Sequence, residues 1–130
     1  MAQYAGPWSK TADFNDRCKS NAVELLKRVN LLLADYGTVP NNPDTKSQVS
    51  GHIWGGFRTQ ECRIGATDSA HKQGMAVDVF DPETKLSKWL TNNPEKLIKY
   101  NLYREAPSAT LTWAHLTTRP PKSGRRTFYP

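Results

Sequence analysis

Two histidines and one aspartate combine the residue types and the spacing that a metal site needs. His71 and Asp78 stand seven positions apart in the stretch TDSAHKQGMAVDVFDP, and His115 stands in TWAHL. Zinc in hydrolases is held by three protein ligands and keeps a fourth position for water, and two imidazoles with one carboxylate supply such a set. The ordinary alternatives are a half-buried histidine and an aspartate that caps a turn or pairs with an arginine. The spacing alone therefore leaves both interpretations open.

The metal interpretation requires two neighbouring strands. The segment 75–80, MAVDVF, predicts a short strand that carries Asp78, with His71 on the loop before it. The segment 110–116, TLTWAHL, alternates between polar and apolar residues and predicts a second strand, which carries His115. If the two strands pair, His115 completes the site.

A long amphipathic helix is predicted near the N-terminus. Apolar residues recur at intervals of three and four between positions 13 and 36, which is typical of a helix with one buried stripe. Thr11 or Asp13 is suited to cap its start, and Gly37 to end it. The stripe consists of Phe14, Cys18, Ala22, Leu25, Leu26, Val29, Leu32, Leu33 and Tyr36.

The remaining elements are predicted to be short. Residues 49–57 suggest a strand or hairpin interrupted by glycines, and residues 86–102 suggest one or two helices. The tail, RPPKSGRRTFYP, is a basic segment stiffened by prolines. Together these patterns predict a single α+β domain over residues 1–130. Its small antiparallel sheet carries the zinc site and packs against the long N-terminal helix.

The charge balance narrows the class of partner. Lys and Arg number 18 against 12 Asp and Glu, which gives a net charge of +6 over 130 residues. Such a chain favours anionic partners: nucleic acid, a membrane surface or an anionic cell-wall polymer. The aromatic residues are not interleaved with Arg and Lys as a base-stacking platform requires, so we expect no nucleic acid. No run approaches the roughly 20 apolar residues of a membrane span.

The first residues and the cysteines indicate a cytoplasmic origin. MAQYAGPWSK lacks the basic and apolar regions of a secretion signal, so we expect synthesis in a cytoplasm. To act outside the membrane, the protein would then need another protein to let it through. Two cysteines are too few for a disulfide framework, and we expect reduced thiols in a monomer. Cys18 falls on the helix stripe and is expected in the core, whereas Cys62 is either a partly buried thiol or an additional metal ligand.

The motifs together resemble one enzyme family. GGFRTQECRIGATDSAHKQGMAVDVF followed by TWAHL is similar to the zinc D-Ala-D-Ala carboxypeptidase and L-alanyl-D-glutamate peptidase family. That family has a Ser/Gly-Gly-aromatic-Arg strand end, then Ser-x-His-x-x-Gly-x-Ala-x-Asp, then a Trp-x-His strand. The similarity covers roughly residues 49–116, and the short chain looks most like phage-encoded members. The family shares its fold with lysostaphin-type enzymes and the hedgehog signalling domain.

The resemblance implies a function and assigns roles. It implies that His71, Asp78 and His115 bind Zn²⁺, that Arg58 faces the substrate, and that the Ser69 hydroxyl bonds the substrate backbone. A guanidinium offers a planar donor fork to a peptide carboxylate or carbonyl, although a surface salt bridge for Arg58 and a turn for Ser69 are the alternatives. The implied reaction is hydrolysis of peptide bonds in peptidoglycan. An enzyme of this kind would reach the wall after holin-type release or within a phage particle.

One departure from the family pattern concerns the catalytic base. Many members have Glu or Asp three residues before the last histidine, where this chain has Thr112. Glu105 is the preferred replacement, although an ion pair with a neighbouring basic residue explains it equally well. His52 and Glu61 are weaker candidates. Thr112 also favours an alternative function, a non-catalytic zinc module that binds the cell wall or forms part of a virion.

Overall fold

The computed structural model describes residues 2–51 and 54–129, and within them the chain forms four α-helices and four strands. The helices are α1 (Ala2–Ala5), α2 (Asp16–Tyr36), α3 (Lys85–Asn92) and α4 (Glu95–Lys99). The strands are β1 (Ala76–Phe80), β2 (Tyr103–Glu105), β3 (Trp113–Thr117) and β4 (Thr127–Phe128). Single 3₁₀ turns occur at Gly6–Trp8, Ala70–Gln73 and Pro107–Ala109. The predicted α+β class, the strands predicted at 75–80 and 110–116, and the prediction of one or two helices within 86–102 are confirmed.

Helix α2 is the predicted long helix, but it begins later than expected. The Asn15 side chain accepts a hydrogen bond from the N–H of Cys18 at 3.0 Å, so the prediction of a cap at Thr11 or Asp13 is wrong. The helix ends at Gly37, whose φ of 124° favours glycine and whose N–H bonds the Leu33 carbonyl. Its buried residues are Cys18, Ala22, Leu25, Val29, Leu32 and Leu33.

The sheet is mixed, whereas the sequence predicted an antiparallel one. Its strand order is β1-β3-β2-β4, with β3 antiparallel to both β1 and β2. The basic tail adds β4 parallel to β2, with Glu105 opposite Phe128. A strand of two residues is too short to show an alternating pattern, so no pattern in the sequence indicated this fourth strand.

The glycine-rich segment before Arg58 forms turns where a strand or hairpin was expected. Residues 52 and 53 lie outside the described part of the chain. Among the described residues of this segment, Val49 makes only an isolated antiparallel bridge to Val79. A Cβ on Gly55 would lie 1.8 Å from the Ser50 carbonyl oxygen, so the backbone folds tightly on itself here. This turn brings the following residues close to β1.

One hydrophobic core joins the long helix to the sheet. It combines Leu25 and Leu32 of α2 with Val77 of β1 and Leu116 of β3, and Leu90 of α3 belongs to the same cluster. No helix within residues 2–51 and 54–129 has the length and apolar character needed to span a membrane. The core therefore holds β1 and β3, the two strands that carry the candidate ligands, against α2.

Candidate metal centre

The three predicted ligands come together in the structure. One potential ligand atom from each of His71, Asp78 and His115 lies within 4.8 Å of the others. Asp78 lies at the middle of β1 and directly opposite His115 on β3, while His71 comes from the 3₁₀ turn that precedes β1. The antiparallel pairing of the two strands thus aligns two ligands, and the turn adds the third.

Both imidazoles converge on one carboxylate oxygen. His115 Nδ1 lies 2.9 Å from Asp78 Oδ1, and His71 Nε2 lies 3.3 Å from the same oxygen. The two rings meet edge to face with their centroids 5.1 Å apart. His71 is 2% exposed and Asp78 is 7% exposed, so both are buried, and His115 is half-buried. Two nitrogens and a carboxylate oxygen at this separation match the ligand types that zinc prefers.

The orientation of His71 is fixed from behind by a backbone carbonyl. His71 Nδ1 lies 2.8 Å from the Gly56 carbonyl oxygen, which can only accept a hydrogen bond. Nδ1 therefore has the proton, and Nε2 is the ring nitrogen that faces Asp78. Metal-binding histidines characteristically donate their other ring N–H in this way. The donor set and its support both fit a bound metal ion.

The two glycines before Phe57 allow this arrangement. The Gly55 carbonyl accepts a hydrogen bond from the N–H of Asp78 at 2.7 Å. A Cβ on Gly56 would lie 2.0 Å from the Tyr4 carbonyl oxygen, which itself accepts a bond from the N–H of Phe57 at 3.1 Å. The chain can approach so closely only because residue 56 is glycine. Sequence reasoning missed this role, and the only signal for it was the adjacent glycine pair.

The electrostatics of the cluster favour an ionised carboxylate. Burial alone raises the pKa of Asp78, but the charge of His71 and hydrogen bonds from His115 and His71 outweigh it and hold that pKa well below its usual range. The Asp78 side chain is therefore an anionic acceptor in the middle of the site.

Arg58 contacts the carboxylate of the candidate ligand Asp78 directly. Its Nη2 donates to Asp78 Oδ2 at 3.3 Å, its Nε donates to the Trp54 carbonyl at 2.8 Å, and its Nη1 donates to the Ile64 carbonyl at 3.3 Å. The residue is only 8% exposed. The guanidinium thus holds residues 54–64 in place and orients Asp78. Arg58 also lines the cavity of the candidate metal centre. Its predicted contact with a substrate stays a prediction.

Ser69 forms a turn beside the first ligand. Its Oγ accepts a hydrogen bond from the N–H of His71 at 3.2 Å and so caps the 3₁₀ turn. Accepting this bond leaves the hydroxyl proton available as a donor. Ser69 also lines the cavity next to His71, so the predicted bond to a substrate remains compatible with its position.

Glu105 shares the cavity with the cluster but is not one of its three members. Arg104 of β2 pairs with Leu116 of β3, which places the next residues, Glu105 and His115, side by side on the same face of the sheet. Phe128 of β4 follows in the same row, with its ring edge-on to His115 at 6.2 Å. The row thus combines an acid, an imidazole and an aromatic ring.

The other candidates for proton transfer lie elsewhere. Thr112 is exposed just before β3, where its carbonyl accepts a hydrogen bond from Asp81. Glu61 lines a different cavity, and His52 lies outside the described residues. Cys62 is a free, buried thiol that lines the same cavity as Glu61, and it is not a member of the metal cluster.

The cluster lines a cavity of about 690 Å³ whose walls include three cationic side chains. These are Arg58, Arg119 and Lys122, the last two from the tail after β3. The Arg119 guanidinium is held by the carbonyl of Asp68 at 2.7 Å and by Gln73 Oε1 at 3.1 Å. The cavity therefore combines a potential metal centre with cations suited to carboxylate groups.

Compared with known proteins, the chain matches no family model, and no curated protein or solved structure is significantly similar to it. The resemblance to zinc peptidases therefore rests on the sequence motifs, and what the structure adds is the geometry of the His71-Asp78-His115 group.

Proposed function

We propose that this protein is a zinc-dependent peptidase that hydrolyses the peptide part of bacterial peptidoglycan. The observation that supports it most is the convergence of His71, Asp78 and His115, with ligand atoms within 4.8 Å, in a cavity large enough for a peptide segment. Clefts of this size are typical of small-molecule and substrate sites. The peptidase motifs and the net charge of +6 agree with an anionic peptide substrate.

Zinc bound here would supply Lewis acidity, which polarises a peptide carbonyl and activates water. His71 and His115 would bind it through nitrogen and Asp78 through oxygen. Gly56 keeps the His71 ring in the orientation that binding requires, because its carbonyl holds Nδ1–H. Arg58 would hold Asp78 in orientation through its bond to Oδ2.

Glu105 and the cations of the cavity would serve in proton transfer and in substrate binding. Peptide hydrolysis needs a group that takes a proton from the attacking water and delivers one to the leaving amine. We propose Glu105 for this role, and its support is that it lies next to His115 across the sheet and lines the cavity. Arg119 and Lys122 would bind carboxylates of the substrate. The Ser69 hydroxyl would donate to its backbone.

The alternative is a zinc module that binds the wall or a virion component without hydrolysis. The observation in its favour is Thr112, an exposed neutral side chain at the position where the resembling family commonly has an acid. For either function we propose action at the cell wall, after holin-type release or from a phage particle.

Two measurements test the proposal. The purified protein should contain one zinc ion per molecule, and His71→Ala and His115→Ala should each lose it. The control His52→Ala removes the remaining histidine of the chain and should keep the zinc ion. Full zinc retention in both ligand variants would refute the metal assignment.

The activity test uses isolated peptidoglycan with and without a chelator. We expect release of new amino groups that stops when the chelator is added. If zinc is bound and no amino groups appear, the non-catalytic alternative is correct.

A further inference from the structure

A second cavity lies beside the metal centre. It has a volume of about 590 Å³, and Ile64 lines both it and the metal-site cavity. We name it the aromatic cleft; its lining includes Trp8, Trp54, Asp13, Thr59 and Glu61. The metal-site mechanism uses none of these side chains.

Two stacked indoles form one part of the aromatic cleft. The rings of Trp8 and Trp54 are 4.7 Å apart between centroids and inclined by 18°. Both residues are half-buried, and both line the cavity. Aromatic faces in a cleft bind flat, weakly polar surfaces, such as the C–H face of a sugar ring.

Polar groups for hydroxyl recognition surround the indoles. Asp13 and Glu61 supply carboxylate acceptors, and Thr59 supplies a hydroxyl. Asp13 is held in place because its Oδ2 accepts a bond from the N–H of Gln60 at 3.0 Å. Arg63 lies in the same lining, so the cleft is not a purely anionic site. An aromatic platform with several acceptors and donors suits a neutral, polyhydroxylated ligand.

The aromatic cleft is connected to the metal centre by Arg58. The same guanidinium bonds the carbonyl of Trp54, which lines the aromatic cleft, and Asp78, a candidate metal ligand. It also bonds the carbonyl of Ile64, the residue common to both cavities. A ligand that fills both cavities therefore needs a sugar portion adjoining a peptide portion.

We propose that the aromatic cleft binds an N-acetylated sugar ring of the peptidoglycan glycan strand while the attached peptide occupies the metal-site cavity. This inference rests on the proposed function, since it names a further part of the same substrate. It assigns Trp8 and Trp54 as the stacking residues, with Asp13 and Glu61 as hydroxyl acceptors. The cleft selects peptides that are still attached to glycan over free ones.

The test follows the indole N–H signals of the ¹⁵N-labelled full chain by NMR while chitotriose, a soluble N-acetylglucosamine oligomer, is added. The chain has four tryptophans, and single Trp→Phe variants assign their signals. We expect the signals of Trp8 and Trp54 to shift in a saturable way and that of Trp89, which packs against Tyr36, to stay unchanged. Trp54→Leu should weaken binding about tenfold, and the matched Trp89→Leu should not. Trp8→Leu provides the same test if Trp54→Leu fails to fold.

The outcomes separate this inference from the proposed function. The titration needs no hydrolysis and is run with and without chelator, so sugar binding without peptide cleavage supports the aromatic cleft and contradicts only the enzyme. Cleavage of peptidoglycan without any shift of the Trp8 and Trp54 signals overturns the cleft assignment alone. Equal shifts of Trp8, Trp54 and Trp89 would also overturn it. The cleft assignment is also overturned if the Trp8 and Trp54 signals shift with lysine, used as an ammonium probe, and do not shift with chitotriose.

Discussion

Gly56→Ala should weaken metal binding through a contact on the far side of His71. The new Cβ would lie 2.0 Å from the Tyr4 carbonyl oxygen, whereas ordinary van der Waals contact begins at 3.4 Å, so the two must separate by about 3.4 − 2.0 = 1.4 Å. The neighbouring atom is backbone, which cannot rotate away as a side chain would. The displaced segment includes the Gly56 carbonyl, which holds His71 Nδ1 at 2.8 Å.

The expected magnitudes follow from the size of this clash. Overpacking in a close-packed interior costs about 1–3 kcal/mol of unfolding free energy. For a chain of this length that corresponds to a fall in Tm of roughly 3–15 °C. Loss of a hydrogen bond that orients a metal-binding histidine lowers metal affinity by about 10–100-fold. Zinc affinity should therefore fall in addition to stability.

The assay is competition for zinc against a chromophoric chelator, combined with thermal unfolding of the chelated protein. The matched control is Gly37→Ala, the same chemical change at a site with nothing within 4 Å of the new Cβ. Its φ of 124° and ψ of −145° favour glycine, so it should cost about 1–3 kcal/mol through backbone strain and leave zinc affinity unchanged. If Gly56→Ala unfolds earlier but binds zinc as tightly as the parent, the positioning role of Gly56 is refuted. An unchanged Tm would instead refute the close approach itself.

Three further outcomes are expected. Glu105→Gln should reduce the cleavage rate by about 10²–10⁴-fold with zinc affinity unchanged. The control Glu95→Gln, the same change at an exposed residue of α4, should cleave at the parent rate. Equal rates for the two variants would show that Glu105 is only a surface charge. Chelation of zinc should lower the unfolding free energy by ~4 kcal/mol relative to protein at a free zinc concentration a thousandfold above its Kd, and an unchanged Tm would indicate that no metal binds the native state. Leu25→Ala, at a side chain of α2 that is 0% exposed, should lower the unfolding free energy by about 2–5 kcal/mol. Leu31→Ala, at a side chain of the same helix that is 52% exposed, should change it by less than about 0.5 kcal/mol. Similar losses for both variants in denaturant unfolding would contradict the assigned core face of α2.

Local patterns in the sequence were sufficient for the parts of the fold that depend on periodicity. The three- and four-residue spacing of apolar side chains identified α2, because each buried residue repeats on one face of a helix. The alternation of residues 110–116 identified β3 at a period of two. The short apolar segment 75–80 identified β1. Helix starts were less predictable, since Thr11, Asp13 and Asn15 are all suitable caps by type and only the path of the chain selects one.

The three candidate ligands could also be identified from the sequence. His71 and Asp78 are close along the chain, and His115 lies on the strand that pairs with β1, so residue type and strand pattern together brought them into one hypothesis. Arg58 and Ser69 were predicted as contacts to substrate, with a surface salt bridge for Arg58 and a turn for Ser69 as the alternatives. The structure adds their protein contacts, to Asp78 and to the His71 N–H, which depend on how the loops close.

By itself the sequence determined the α+β class, the long helix and the candidate metal ligands, because these depend on side-chain type at short, regular intervals. Tertiary structure alone decided the support behind His71, the parallel tail strand and the aromatic cleft. Each of these joins residues far apart along the chain: Tyr4 reaches Gly56, Thr127 pairs beside Arg104, and Trp8 stacks on Trp54. No short repeat marks such pairs, since they form only when the hydrophobic core brings separate segments into contact.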